Sequence, residues 1–174
     1  MTVNLIERIS TVLESEKTLE GFVRQLLEML ELVTEMESTY LTRIDAEGIQ
    51  QQILFSRNSK EMQIPEGLSV PWEDTLCKRA MDEGRPFTCD VPGIWGDSLA
   101  AKQLGITTYI STPVMLSDGH LYGTLCAASS QIHPLSERAE QVLELFAELI
   151  GQYIRKEQLL QQLQEANAAL TAVS

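Results

Sequence analysis

The chain has 174 residues, 44% of them hydrophobic, a formal charge of −12 and a pI near 4.5. That length predicts one domain with room for an extra terminal helix, and the acidic balance and absence of a basic patch exclude nucleic-acid and membrane-surface partners. No apolar run approaches the ~20 residues of a membrane span, nothing at the start resembles a signal peptide, and three cysteines without a C-x-x-C pair suggest neither a disulfide framework nor a zinc site, so a reduced, cytoplasmic protein is expected.

Leu5, Ile6, Ile9, Val12 and Leu13 recur at the spacing of an amphipathic helix. Thr18, followed by Gly21-Phe22, opens a second helix with Phe22, Leu26, Met29, Leu30 and Val33 on one side. The period then changes to that of strands. "STYLTRID" and "IQQQILFSR", joined at Ala46-Glu47-Gly48, predict a β-hairpin. Pro65, Gly67 and Pro71 mark a loop into a short helix over 73–83, closed by Gly84 and Pro86. "PFTCDV" reads as a short strand, and 92–105 as a loop with a helical turn at 98–104. "TTYISTPVML" and "LYGTLCAAS" predict a second hairpin through Ser117-Asp118-Gly119-His120. A final helix starts after Pro134-Leu135, with Ser136 as N-cap, and runs almost to the end.

Helices at both ends and hairpins between them predict an α+β fold, with the terminal helices on one face of an antiparallel sheet. Residues 72–105 cover the other face and have the turn-rich composition of a binding loop. Along the last helix, Leu149, Tyr153, Lys156, Leu160, Leu163, Asn167 and Leu170 fall on one heptad seam. Asn167 between leucines favours an in-register pair, and Lys156 weakens the start of the seam. The expected organisation is a domain over 1–153 and a dimerising extension over 154–174 that leads into a further domain; a helix packed back on its own domain is the alternative.

"PWEDTLC", "DVPGIWGD" and "STPVMLSDGHLYGTLCA", followed by a long helix, resemble the GAF domain family. They look like the sensory GAF domains attached to bacterial diguanylate cyclases, phosphodiesterases and histidine kinases. The likeness runs from the second helix to about Tyr153. It implies a sheet of about six antiparallel strands, helices on one face and a small-molecule pocket on the other. It also implies a homodimer through terminal helices whose rearrangement signals to an output domain, for cyclic-di-GMP turnover or phosphoryl transfer.

No Ser-His-Asp or Cys-His arrangement is present, since His120 lies in a turn and His133 precedes the last helix. One GAF branch, the free methionine sulfoxide reductases, is enzymatic. Cys77 and Asp90-Val91 stand where that branch has a cysteine and an Asp-Val pair, but the segment 92–97 lacks the nucleophilic cysteine, and Cys89 and Cys126 fall on strands. The sequence around Cys77 and Cys89 matches neither bilin-attachment pattern, the cyclic-nucleotide pattern is absent, and no histidine is placed as a haem ligand. No cofactor is identified, and no metal site.

What remains is a noncovalent pocket for an unknown small molecule. Trp72 walls it or plugs a core. Thr75 and Cys77 sit at a helix N-terminus suited to an anionic group. Trp95 and Asp97 lie on the expected lid, hinged by Gly93 and Gly96, with a surface loop pinned by one aromatic as the alternative. An inward Asp97 would select a cationic or hydroxyl-bearing ligand. Tyr109 and Ser111 share one strand face, and Tyr122, Thr124 and Cys126 share a face of the next. The expected function is a non-catalytic sensory module. The alternatives are a dimerisation-only domain with a collapsed pocket, and a reductase.

Overall fold

Thr18 begins the helical layer. Its hydroxyl accepts a hydrogen bond from Gly21 N at 3.1 Å, satisfying a donor that the first turn of a helix leaves free. The computed structural model describes residues 2–45, 47–116 and 119–173. Helix α1 (Thr2–Ser15) packs on α2 (Leu19–Thr34), which ends at Glu35 in the left-handed region. The buried stripe of α2 adds Val23 and Leu27 to the predicted Phe22, Leu26, Met29 and Leu30. It is wider because α2 is covered by the sheet on one side and by two other helices on the other. On α1, Val12 is buried while Ile6 and Leu13 stay exposed, so only part of the predicted apolar face enters the core.

The strands β1 (Ser38–Ile44), β2 (Gln50–Asn58), β3 (Ser69–Pro71), β4 (Phe87–Thr88), β5 (Thr108–Met115) and β6 (Leu121–Ser129) form one antiparallel sheet, ordered β3-β2-β1-β6-β5-β4. Both predicted hairpins are present. Ala46, Ser117 and Asp118 of their turns lie outside the described residues. Strand β3 replaces part of a predicted loop, pairing with residues 50–52 of β2. The two-residue side-chain period divides the sheet into two faces, interrupted by irregularities in the β1–β2 and β5–β6 pairing. Leu41, Ile110, Val114, Leu125 and Ala127 face the helices. Tyr40, Ile53, Tyr109, Cys126 and Ala128 face the opposite side.

Two glycines permit close approach, Gly123 between neighbouring strands and Gly151 between α6 and the sheet. A Cβ at Gly123 would collide with the Thr42 carbonyl, and one at Gly151 would lie 2.7 Å from the Met115 carbonyl oxygen. Glu37 fastens the start of β1 to the end of β6. One of its carboxylate oxygens accepts from Ser129 Oγ at 2.9 Å, Ser130 N at 2.9 Å and Ser130 Oγ at 2.6 Å.

Helix α6 (Glu137–Val173) starts as predicted, with Ser136 Oγ accepting from Ala139 N at 3.0 Å. Ala139, Val142, Leu143, Phe146, Ala147, Ile150 and Ile154 are its buried stripe. From 156 to 172 every residue is exposed.

The loop side of the sheet is more ordered than its sequence suggests. A 3-10 turn (Trp72–Asp74) precedes α3 (Leu76–Glu83), so the predicted helix over 73–83 is broken at Thr75, whose extended backbone makes it the N-cap. The segment 92–105 holds α4 (Val91–Ile94) in place of the predicted loop, and α5 (Leu99–Leu104) at the predicted helical turn. Asp90 caps the first by accepting from Gly93 N, and Ser98 caps the second by accepting from Ala101 N. Gly93 and Gly96 are not hinges here. A Cβ on Gly93 would strike the Asp90 carboxylate and one on Gly96 the Pro92 carbonyl, so both permit close packing.

Candidate functional site

The site is built where the first turn of α3 meets the middle of the sheet. Thr75 Oγ accepts from Lys78 N at 3.1 Å and donates to the Trp72 carbonyl at 2.8 Å. This cap fixes the rotation of α3 and points Cys77 at the strands. The pleat then supplies the partners: Tyr109 from β5, and Thr124 and Cys126, two residues apart on β6. Cys77 Sγ lies 2.7 Å from Tyr109 OH, 3.0 Å from Thr124 Oγ1 and 3.7 Å from Cys126 Sγ. Thr124 Oγ1 is 3.2 Å from Cys126 Sγ, and Tyr109 OH is 3.5 Å from it. All four side chains are buried.

Behind this group runs a second polar row. Thr42 Oγ1 is 2.7 Å from Thr124 Oγ1 and accepts from Thr124 N at 3.0 Å, while Gln51 Nε2 donates to Thr42 Oγ1 at 2.9 Å. One assignment of the hydroxyl protons satisfies every group: Gln51 donates to Thr42, Thr42 to Thr124, and Thr124 and Tyr109 to Cys77. The hydrogen bonds thus converge on one sulfur.

The titration of the two thiols follows from that convergence. Burial pushes the Cys77 thiol up, but hydrogen bonds from Cys126, Thr124, Tyr109 and Gln51 outweigh it and bring the group down to about 7. Burial pushes Cys126 well above its ordinary value, and its contact with Cys77 adds to the rise. The two thiols titrate as a pair, and the converging hydroxyls favour the negative charge on the Cys77 side. Tyr40 and Tyr109 are held protonated by burial and by the neighbouring sulfurs.

Beside Cys77 is a cavity of about 40 Å³ lined by Tyr40, Gln51, Thr75, Cys77 and Tyr109, with Ala100 and Leu104 of α5 half-buried at its outer wall. It holds water-sized molecules and nothing as large as a bilin or a nucleotide.

Of the predicted pocket residues, the fold gathers Thr75, Cys77, Tyr109, Thr124 and Cys126. Ser111 joins them on the same face, paired across the strands with Cys126. Trp72 is half-buried and packs on the edge of this cluster. Four readings change. Trp95 is a core residue, 3% exposed, edge-on to Tyr109 and with Nε1 donating to Glu83 at 2.7 Å, rather than a mobile lid. Asp97 points outward to Arg79 at 2.7 Å, with its side chain 78% exposed, rather than into the cluster. Tyr122 packs on the helical core, away from Thr124 and Cys126, because an irregularity in pairing between Val114 and Met115 reverses its side. The end of α3 is self-capped through Thr75 and is not an open anion site.

Tyr40, Thr42 and Gln51 belong to the site but were not singled out from the sequence. The alternation in "YLT" and "QQI", which puts Tyr40 with Thr42 and Gln51 with Ile53, was the available signal. His133 pairs with the Pro134 carbonyl and His120 is exposed, both outside the cluster. Among the described residues, no group of three or more His, Cys, Asp or Glu side chains converges as a metal site, and no helix is long and apolar enough to cross a membrane.

On the dimerisation seam, Tyr153 is committed to its own domain. Its ring stacks on Phe22 with centroids 4.8 Å apart. Leu160, Leu163 and Leu170 are 49%, 65% and 71% exposed, and Asn167 is exposed beside them. A groove of about 610 Å³ between the end of α1 and α6, lined in part by Leu13, Leu149, Tyr153 and Leu160, continues the seam toward the domain.

Comparison with known proteins agrees with this architecture. The phycocyanobilin-bound GAF domain from a cyanobacterial phytochrome superposes with a TM-score of 0.73 over 91% of this chain and 96% of that one, at 13% identity. The chromophore-binding domain of an R. palustris bacteriophytochrome gives 0.72 over 90% and 62%, also at 13% identity. These likenesses concern the fold. In sequence, the chain is 60% identical along its whole length to the diguanylate cyclase DgcP of Escherichia coli (strain K12), and spans 51% of that protein. A GAF domain model matches residues 16–155, the stretch that contains the whole sheet, the capped helix α3 and the buried part of α6, so the chain belongs to the GAF domain family.

Proposed function

We propose that this chain is a regulatory module without catalysis of its own, which passes the state of its loop-side site through a paired α6 to an output domain. The observation that carries the reading is the second half of α6. Leucines at 159, 160, 163 and 170 stand exposed on a stretch of helix, 156 to 172, in which every residue faces solvent. A lone helix with such a stripe is stabilised by burying it, and a second copy offers the same stripe in the same register. Asn167 among those leucines favours the parallel, aligned arrangement. The domain then runs through the buried Ile154, one residue beyond the expected boundary at 153, and the exposed signalling extension follows it. The relative's name, diguanylate cyclase, supports a cyclase as the output, since this chain spans about half of that protein.

The small cavity favours a second reading as well, in which the domain pairs helices and takes no organic ligand. Both readings need the dimer. Light scattering on the eluting protein tests it: the wild-type chain runs as a dimer, and Leu160→Lys with Leu163→Lys runs as a folded monomer that keeps its cooperative unfolding, because both positions are exposed in the single chain. A monomeric wild-type chain would end both readings.

A further inference from the structure

Neither the packing of the core nor the pairing of α6 explains why two buried thiols meet at 3.7 Å inside a network that lowers one and raises the other. Thiols used only as small hydrophobes do not need convergent hydroxyl donors. Here Tyr109 and Thr124 both aim at Cys77, and a cavity of about 40 Å³ lies against the same sulfur. That space admits a molecule of two or three heavy atoms; its walls are mostly apolar, from Ile53, Val70, Leu76 and Ile106, with Gln51 and Tyr109 as polar groups beside the sulfur.

We propose that Cys77 and Cys126 form a peroxide-reactive dithiol, with hydrogen peroxide entering the cavity beside Cys77. The Cys77 thiolate attacks one peroxide oxygen and the O–O bond breaks. A sulfenic acid forms on Cys77, and the other oxygen leaves as hydroxide, which takes up the proton Cys77 gave up and becomes water. Cys126 sulfur then attacks Cys77 Sγ. The S–O bond breaks, the S–S bond forms, and hydroxide leaves with the Cys126 proton as a second water. Two thiols lose two electrons and two protons, and one peroxide becomes two waters. A thioredoxin-type dithiol reverses the change. Forming the bond shortens the sulfur separation by roughly 1.7 Å, drawing the first turn of α3 toward β6. Transmission of that movement to an output domain rests on the regulatory reading above; the thiol chemistry does not.

The test uses the chain carrying Cys89→Ser, which removes the exposed third thiol. Native protein treated with hydrogen peroxide loses about 2 Da in its intact mass and regains them with dithiothreitol. Adding Cys126→Ser stops the reaction at a sulfenic acid on residue 77 that dimedone captures. With Cys77→Ser instead, no disulfide forms, and residue 126 reacts at least about tenfold more slowly than Cys77. The proposal is overturned if the native chain keeps both thiols while the guanidinium-unfolded chain is oxidised by the same peroxide. It is equally overturned if Cys77 yields a sulfenic acid that Cys126 never resolves. Formation of the disulfide with no change in dimer or output activity upholds the dithiol and sinks only its regulatory coupling.

Discussion

The two faces of one sheet are built on opposite terms. On the helical face, Phe22, Leu26, Leu27, Leu30, Leu41, Leu125, Phe146 and Ile150 are buried together as an apolar core. On the loop face, the same strands turn inward Tyr40, Thr42, Gln51, Tyr109, Thr124 and Cys126, a polar network with a cavity in it. Apolar burial is non-directional and tolerates no vacancy, whereas a polar network stabilises only while every donor finds its acceptor. The first face is held by apolar packing, whereas the second sets its polar network, whose chemical state can change, within a further apolar cluster of Ile53, Ile64, Leu76, Trp95 and Ile106.

The contrast is broken most directly at Phe146. It is fully buried between α6, α2 and the sheet, and truncation to Ala leaves a cavity that the surrounding helices close only in part. Phe146→Ala is expected to cost about 3–5 kcal/mol in denaturant unfolding. A cost near that of a surface substitution would mean that the helical face is not the stabilising one.

Tyr109→Phe sharpens the comparison from the other side. The ring remains and only the hydroxyl bonded to Cys77 at 2.7 Å is removed, so the stability cost at neutral pH is about 1 kcal/mol. The larger change is in pH dependence. Cys77 is lowered from 9.0 to about 7 in the folded chain, so between those values the unfolded chain binds the extra proton. This contribution to stability rises with pH across that window, is fully present above about 9, and is lost as pH falls through about 7. Urea midpoints of the wild-type chain are expected to rise from pH 7 to pH 9, and Tyr109→Phe to flatten that rise. An unaltered slope in the variant would show that Tyr109 does not hold the thiolate.

The same contrast explains what could be read from the sequence. The helical face was legible because its signals are local and repeated. Leu26, Met29 and Leu30 recur at helical spacing, Ser136 stands at an N-cap, and the hairpins are framed by turn residues. The α+β layering, the long last helix and the side of the sheet taken by the terminal helices follow from those patterns. The loop face depends on meetings across the chain. Cys77 and Cys126 are joined by a capped turn and a strand register, and no spacing announces it. Trp95 looked like a lid because glycines flank it, but Gly93 and Gly96 serve close packing, and Glu83 satisfies the indole from another helix. Tyr122 was placed with Thr124 by strict alternation, which an irregular pair in β5 and β6 interrupts. Thr42 and Gln51 reach the site only through the pairing of β1 with β2 and β6, which their local sequence does not specify.

Asp97 gives the smallest effect and the cleanest check on where the loop face ends. It sits two residues from buried Trp95, yet its carboxylate lies in solvent against Arg79. The Arg79 guanidinium holds that carboxyl below its ordinary range, as an adjacent cation does. An exposed pair of this kind is screened by salt and contributes little to folding. Arg79 also keeps a second partner, Asp74 at 3.3 Å, whose other oxygen accepts from Ala100 N at 3.1 Å and so fastens the start of α5. Removing Asp97 therefore leaves the guanidinium paired and the α5 attachment intact. Asp97→Ala is expected to leave both the unfolding midpoint at physiological salt and the Cys77 titration where they were. A shift of the thiol in that variant would extend the network from Cys77 to the surface of the loop segment, and the boundary between the site and its solvent-facing cover would move outward to Arg79.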